Sequence, residues 1–176
     1  MSILKVNTIQ DKGGNAIISS DGAGTLSGGL ASNTPSFYAY LSSAQSIPST
    51  TASKAQCNIK NWDTDSAYDN STNYRFTVPS GKDGKYVFNA GTSVAYLDDS
   101  EYLHLFLYKN GSNLNNAFPL RFYSANFDNQ LTHSFSYTAD LVAGDYIEFY
   151  IRHSEGASQD AQPNLTYFSG YKLIGA

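Results

Sequence analysis

The sequence predicts an all-β protein, a sandwich or jelly roll of about eight to ten short strands led by an extended N-terminal segment. Three observations predict it. Apolar and polar residues alternate with a period of two between turn signals over residues 37–176, no helical period interrupts them, and aromatic residues make up 14% of the chain. A period of two puts successive side chains on opposite faces of a pleat, and aromatic side chains suit that half-buried surface. At 176 residues and 19.2 kDa the chain accommodates one such domain with an appendage, not two domains of ordinary size.

The chain changes character near Ser36. Every aromatic residue lies beyond it, whereas residues 1–36 hold six glycines and scattered apolar side chains: Ile3, Leu4, Val6, Ile9, Ile17, Ile18, Leu26 and Leu30. Ordering backbone costs about 1–2 kcal/mol per residue, and a fully buried Ile or Leu returns about 1.5–3 kcal/mol. These side chains cannot fold the segment alone. It is expected either to remain a tail or to be held against another chain through short strands at residues 3–9 and 16–19, with Lys12, Gly13, Gly14 and Asn15 as the turn between them. The domain division is therefore residues 1–36, an extended segment, and 37–176, the head.

Within the head, Ala55, Cys57 and Ile59 alternate with Lys54, Gln56, Asn58 and Lys60, the signature of a strand with one wet face. Tyr74, Phe76 and Val78 follow the same rule until Pro79-Ser80-Gly81, and Tyr86, Phe88 and Ala90 resume it. Asn110-Gly111 supplies the two left-handed residues of a type I′ hairpin turn. Leu131, His133, Phe135 and Tyr137 then alternate with Thr132, Ser134, Ser136 and Thr138. Beyond the turn at Ala143-Gly144-Asp145, Ile147, Phe149 and Ile151 point one way and Glu148, Tyr150 and Arg152 the other.

Residues 101–109 break the one-sided rule. Leu103, Leu105 and Leu107 form one face, while Tyr102, Phe106 and Tyr108 crowd the other with His104. A sandwich offers one core, so the second face needs cover, from another subunit or from a long loop of the same chain. Tyrosine suits a subunit interface because its ring is buried while its hydroxyl reaches water or a partner.

Charge and motif content exclude several function classes. A net charge of -4 with scattered Lys and Arg provides no stripe for phosphates, so nucleic acid is not expected as a partner. No stretch approaches the roughly 20 apolar residues of a membrane span. One cysteine, Cys57, and an N-terminus without a basic stretch and apolar run fit folding in a reducing host cytoplasm without secretion. The sequence contains no Gly-x-Ser-x-Gly elbow, Walker loop or His-Glu-x-x-His motif, and no pair of carboxylates stands out for glycoside chemistry, so no enzyme and no cofactor are expected. Asp63, Asp65 and Asp69 have an EF-hand spacing at first glance. Ala67 and Tyr74 occupy positions that need oxygen ligands and the central glycine is absent, so no metal site is expected. His153-Ser154-Glu155 reads as the start of a solvated loop.

Six fragments in order carry a family resemblance: Tyr68-Asp69, Phe76-Thr77-Val78-Pro79, Gly84-Lys85-Tyr86-Val87-Phe88, Leu107-Tyr108-Lys109-Asn110-Gly111, Leu141-Val142-Ala143-Gly144-Asp145-Tyr146-Ile147 and Phe168-Ser169-Gly170-Tyr171. In these the head resembles the C1q/TNF-like jelly rolls. The resemblance implies a homotrimer with aromatic residues of its inner sheet near the threefold axis. Tyr102, His104, Phe106, Tyr108 and Tyr150 are the candidate trimer-interface residues. The opening, Met1-Ser2-Ile3-Leu4-Lys5-Val6-Asn7-Thr8-Ile9-Gln10 onward, resembles that of tail-fibre and related virion proteins of tailed phages, particularly marine ones. It implies a virion location, with Ile3, Leu4, Val6, Ile9, Ile17 and Ile18 anchoring the chain on another virion protein of the tail, adaptor or capsid.

The function expected is thus a non-enzymatic phage virion structural protein, a trimeric surface fibre, knob or capsid decoration protein that contacts the host surface. The alternatives are a carbohydrate-binding receptor-recognition module and a polysaccharide-degrading enzyme. Host surface glycan would meet polar loops at residues 113–116, 126–130 and 154–164, with Asn113, Asn115, Asn126, Asp128 and Gln130 as candidate contacts.

Overall fold

A computed structural model of the chain describes residues 6–20, 22–23, 26–27, 33–114, 120–124 and 130–174. They contain no helix, and the chain divides into two compact units, Met1–Ser32 and Asn33–Ile174. The first unit holds β1 (Thr8–Gln10), β2 (Ala16–Ser20) and β3 (Leu26–Ser27) as one antiparallel sheet. Its first turn is built by Asp11, whose carboxylate accepts hydrogen bonds from the backbone N–H of Gly13 and Asn15 at 2.8 and 2.9 Å, while Gly14 takes φ = 83°. The hairpin expected from Lys12-Gly13-Gly14-Asn15 is present.

The second unit continues with β4 (Ser36–Tyr40), β5 (Gln45–Ile47), β6 (Ser53–Lys54), β7 (Ile59–Asp63), β8 (Tyr68–Asp69), β9 (Arg75–Thr77), β10 (Gly84–Ala95), β11 (Tyr102–Lys109), β12 (Ser112–Asn113), β13 (Leu120–Tyr123), β14 (Gln130–Leu141), β15 (Tyr146–His153), β16 (Gln159–Ala161) and β17 (Tyr167–Lys172). These form two antiparallel sheets. The first runs β5-β16-β10-β17-β4-β7 with β14 also pairing β10, and the second runs β12-β11-β15-β9-β8 with β13 beside β11 and β6 beside β15. Strands adjacent in space are mostly distant in sequence, the mark of a jelly roll rather than a meander.

The predicted alternation explains the core. Phe37 and Ala39 of β4, Tyr86, Phe88 and Ala90 of β10, and Phe168 of β17 point inward from the first sheet against Phe76, Leu103, Leu105, Leu107, Ile147 and Phe149 of the second. Phe37 stacks on Tyr68 and Phe76 at 4.8 and 5.2 Å between ring centroids and meets the edge of Phe168 at 5.0 Å. Burying each ring stabilises the fold by about 1.5–3 kcal/mol, and edge-to-face pairing adds about 0.5–1.5 kcal/mol. Gly170 is required inside this packing, because a Cβ there would lie 2.6 Å from the Phe88 ring. Asn110 and Gly111 take φ of 51° and 78°, the left-handed pair expected for the hairpin joining β11 to β12.

Two expectations need correction. Residues 54–60 are not one strand. β6 belongs to the second sheet and β7 to the first, and the intervening residues cross between sheets, so Ala55 and Cys57 are buried as expected but Ile59 is exposed. His153 begins no solvated loop. It ends β15 fully buried, where Nε2 donates to the Ile47 carbonyl at 2.8 Å.

Candidate functional site

The head presents two sheet exteriors, and the inward residues dictate what each shows. Because Phe37 and Ala39 face the core, β4 turns Tyr38 outward; because Phe168 and Gly170 face inward, β17 turns Tyr167, Ser169 and Tyr171 outward. A register shift between Tyr38 and Ala39 sets Tyr38 opposite Trp62 of β7. The result is a cross-strand row in which Trp62 stacks on Tyr38 at 5.2 Å and Tyr38 on Tyr167 at 5.8 Å. Trp62 is 50% exposed. Tyr167 lies flat over Gly91 of β10, where a Cβ would come within 2.7 Å of the ring.

Beyond that row the exterior is small and uncharged as far as Lys85 and Asp140, which face each other further along the same two strands. Ser93, Gly91, Asn89 and Val87 of β10 stand opposite Thr132, Ser134, Ser136 and Thr138 of β14. Thr132 donates to the Ser93 hydroxyl at 2.8 Å and Ser136 to Asn89 Oδ1 at 2.9 Å. Grooves of about 430 and about 380 Å3 flank Tyr38, one bounded by Thr132 and Tyr167, the other by Trp62 and Tyr171.

The second exterior carries the residues named from the sequence as an interface. Leu103, Leu105 and Leu107 are fully buried in the core as expected, so His104, Phe106 and Tyr108 point outward with Tyr150 of β15. His104 packs on Phe106 at 3.8 Å and Tyr108 on Tyr150 at 4.2 Å. This sideways packing leaves His104 only 6% and Phe106 only 7% exposed, while Tyr102, Tyr108 and Tyr150 are half-buried. The inference that these rings need another copy for cover is corrected to that extent: His104 and Phe106 are covered within one chain. Below them Lys54 and Glu148 form an ion pair at 2.6 Å.

Sequence reasoning missed two arginines on this exterior. Arg121 of β13 and Arg152 of β15 flank His104 in register, and their guanidinium carbons stand 4.4 and 5.9 Å from the centroid of the Tyr102 ring. Burial, with Arg121 and Arg152 adding repulsion, lowers the His104 imidazole to about 4. It missed Trp62, Tyr38 and Tyr167 too. Their alternation was available for β4 and β17, but their stacking depends on cross-strand register.

The remaining expected site residues are dispersed. Asn113 lies in β12 and Gln130 is exposed at the start of β14, whereas Asn115, Asn126 and Asp128 lie outside the described residues. Val6, Ile9 and Ile17 are each about half exposed and Ile18 is partly covered, while Ile3 and Leu4 lie outside the described residues. No group of acidic, histidine or cysteine side chains among the described residues is arranged to hold a metal ion. Asp63 accepts from the backbone N–H of Ala67 and Tyr68, and Asp69 from those of Ser71, Thr72 and Asn73, so these carboxylates brace turns. Cys57 is buried, and its thiol is pushed up to about 12 by that burial, which removes its nucleophilicity.

No family model and no curated protein matches the sequence. Solved structures do match its fold. The globular domain of zebrafish complement 1qA is 20% identical, covering 80% of this chain and 98% of that one with a TM-score of 0.50. The Eiger TNF of S. frugiperda is 14% identical over 80% of this chain and 93% of its own, with a TM-score of 0.53. Murine APRIL is 13% identical over 78% of this chain and 98% of its own, with a TM-score of 0.56. The head therefore has the C1q/TNF-like jelly-roll fold.

Proposed function

We propose that the chain is a non-catalytic, homotrimeric surface module of a phage particle, its head assembled through the exterior of the first sheet and its N-terminal unit attached to another virion protein. The observation that carries the reading is the Trp62–Tyr38–Tyr167 row, set beside small uncharged side chains of β10 and β14. Exposed rings beside small, uncharged side chains suit close approach of identical copies. The likeness to C1q and TNF heads supports self-association by analogy of fold. The competing placement is the one expected from the sequence, around Tyr102, His104, Phe106, Tyr108 and Tyr150. The covered state of His104 and Phe106 weighs against it.

The particle role rests on the resemblance of the opening residues to phage fibre proteins, and the half-exposed Val6, Ile9 and Ile17 supply apolar surface for a partner to cover. Deleting residues 1–36 should leave a folded head that no longer co-purifies with particles. Truncated protein recovered on purified particles at the full-length level would refute the anchoring role.

A second reading, recognition of a neutral host glycan, is favoured by a groove of about 400 Å3 in the head. Ser43, Gln45, Ser46, Gln56, Asn58 and Tyr74 line it with hydroxyls, carboxamides and one ring, and no charged side chain does so. Such groups match sugar hydroxyls and a sugar face. Tyr74→Ala should abolish binding of host surface polysaccharide if this groove is the contact, and unchanged binding would remove it.

A further inference from the structure

We propose that the exterior of the second sheet carries an oxyanion site, formed by Arg121, His104 and Arg152 over the ring of Tyr102. Strand register creates it. His104 on β11 is paired with Arg121 on one side and Arg152 on the other, so the three side chains share one cross-strand row and one face. Both guanidiniums reach the same Tyr102 ring, at 4.4 and 5.9 Å from its centroid, so they converge there, Arg121 from the solvent side and Arg152 half-buried.

Arg121 is hydrogen-bonded to the Tyr123 side chain, but among the described residues His104 and Arg152 Nε lack a partner. Neither ring nitrogen of His104 has a hydrogen-bond partner although the residue is only 6% exposed, and Arg152 Nε is likewise buried and unpartnered. Buried donors are ordinarily satisfied, so this concentration in one place marks a missing partner. Among the described residues the ion pairs are made by Lys54, Lys60, Lys82 and Lys109, and none involves either arginine. On this face the Glu148 carboxylate is occupied by Lys54, and Glu101 accepts from the Ser154 hydroxyl. The cluster therefore presents positive charge and unmatched N–H groups together.

The missing partner is an oxyanion of sulfate or carboxylate type. Guanidinium presents paired donors that fit such a group, and an anion between the two arginines would accept from Arg152 Nε and from His104. It would also reverse the repulsion that His104 feels from both arginines. Among the described residues the charged groups acting on His104 are Arg121 from β13 and Arg152 from β15, both positive, and its ring packs on Phe106, so a bound anion would bring negative charge beside it. This site is independent of the trimer and particle readings, since it lies within one chain.

The test is a titration of the full-length protein with sodium sulfate at constant ionic strength, following the His104 ring resonances by NMR. Saturable shifts of His104, with its titration midpoint moving upward, are expected in the wild type. Arg121→Gln and Arg152→Gln should each weaken binding about tenfold or more, and His104→Phe, which can still pack on Phe106, should lose it while keeping the fold. A sulfated hexasaccharide and a neutral one of equal length separate the sources. About tenfold tighter binding of the sulfated chain than of free sulfate supports a polysaccharide ligand, and equal binding supports a free anion. Shifts that are linear in sulfate, or unchanged in the two arginine variants, would overturn the proposal.

Discussion

The two exteriors of the sandwich bear similar numbers of aromatic rings and treat them oppositely. On the first sheet the rings form a stacked row with Trp62 half exposed at its end, beside serine, threonine and glycine, with Lys85 facing Asp140 further along the same strands. On the second sheet His104 and Phe106 are sealed by their neighbours, and the row beside them is cationic. The difference teaches that a count of outward rings does not locate an interface. What matters is whether one chain already covers them, and that follows from cross-strand register.

Opening the shared core affects both exteriors at once and should have the largest effect. Phe168→Ala removes a ring that packs on Phe37, Phe88 and Phe149, and should cost about 3–5 kcal/mol in denaturant unfolding. Both exteriors should then be lost together. A loss below about 1 kcal/mol would show that the core packing described is wrong.

Gly91→Val acts on the first exterior alone. Its side chain must displace the Tyr167 ring, at a cost of about 1–3 kcal/mol, and self-association should fail in the same variant, as read by sedimentation. Retained assembly would separate the aromatic row from the interface.

The second exterior is probed by pH. The imidazole of His104 is held near 4 against 6.5 for the free group, chiefly by burial and then by Arg121 and Arg152. Between those values the unfolded chain takes up a proton that the folded chain refuses. Stability from this residue is therefore complete above pH 6.5 and declines as pH falls toward 4, by about 1–2 kcal/mol after allowing for solvent screening. Urea midpoints measured across that window should slope in the wild type and lose that part of the slope in His104→Phe. A slope unaltered by the substitution would assign it elsewhere.

Tyr150→Ala should have the smallest effect, about 1 kcal/mol or less of stability with no change in assembly. A shift to single copies would restore the interface to the β11 and β15 face.

Much of this fold was legible because alternation reports burial directly. Leu103, Leu105 and Leu107 were assigned to the core from spacing alone, and Asn110-Gly111 announced its turn because few other residue pairs accept two positive φ angles. Residues 54–60 misled because alternation says nothing about which sheet a residue joins, and there the chain changes sheets midway. His153 misled for a related reason: its Ser-Glu neighbours looked solvated while its own ring met the Ile47 carbonyl, distant in sequence. The candidate sites were less legible still. Trp62 meets Tyr38 only through a bulged pairing, and Arg121 meets Arg152 only through an intervening strand.

Whether the first exterior joins the copies can be read from light scattering of the full chain beside Trp62→Glu. The wild type should have three times the 19.2 kDa mass of one chain, and Trp62→Glu, with a charge set into the row, should have the mass of one. A wild type at the mass of a single chain would show that the copies do not associate, and a Trp62→Glu protein that remains assembled would show that they join through another surface.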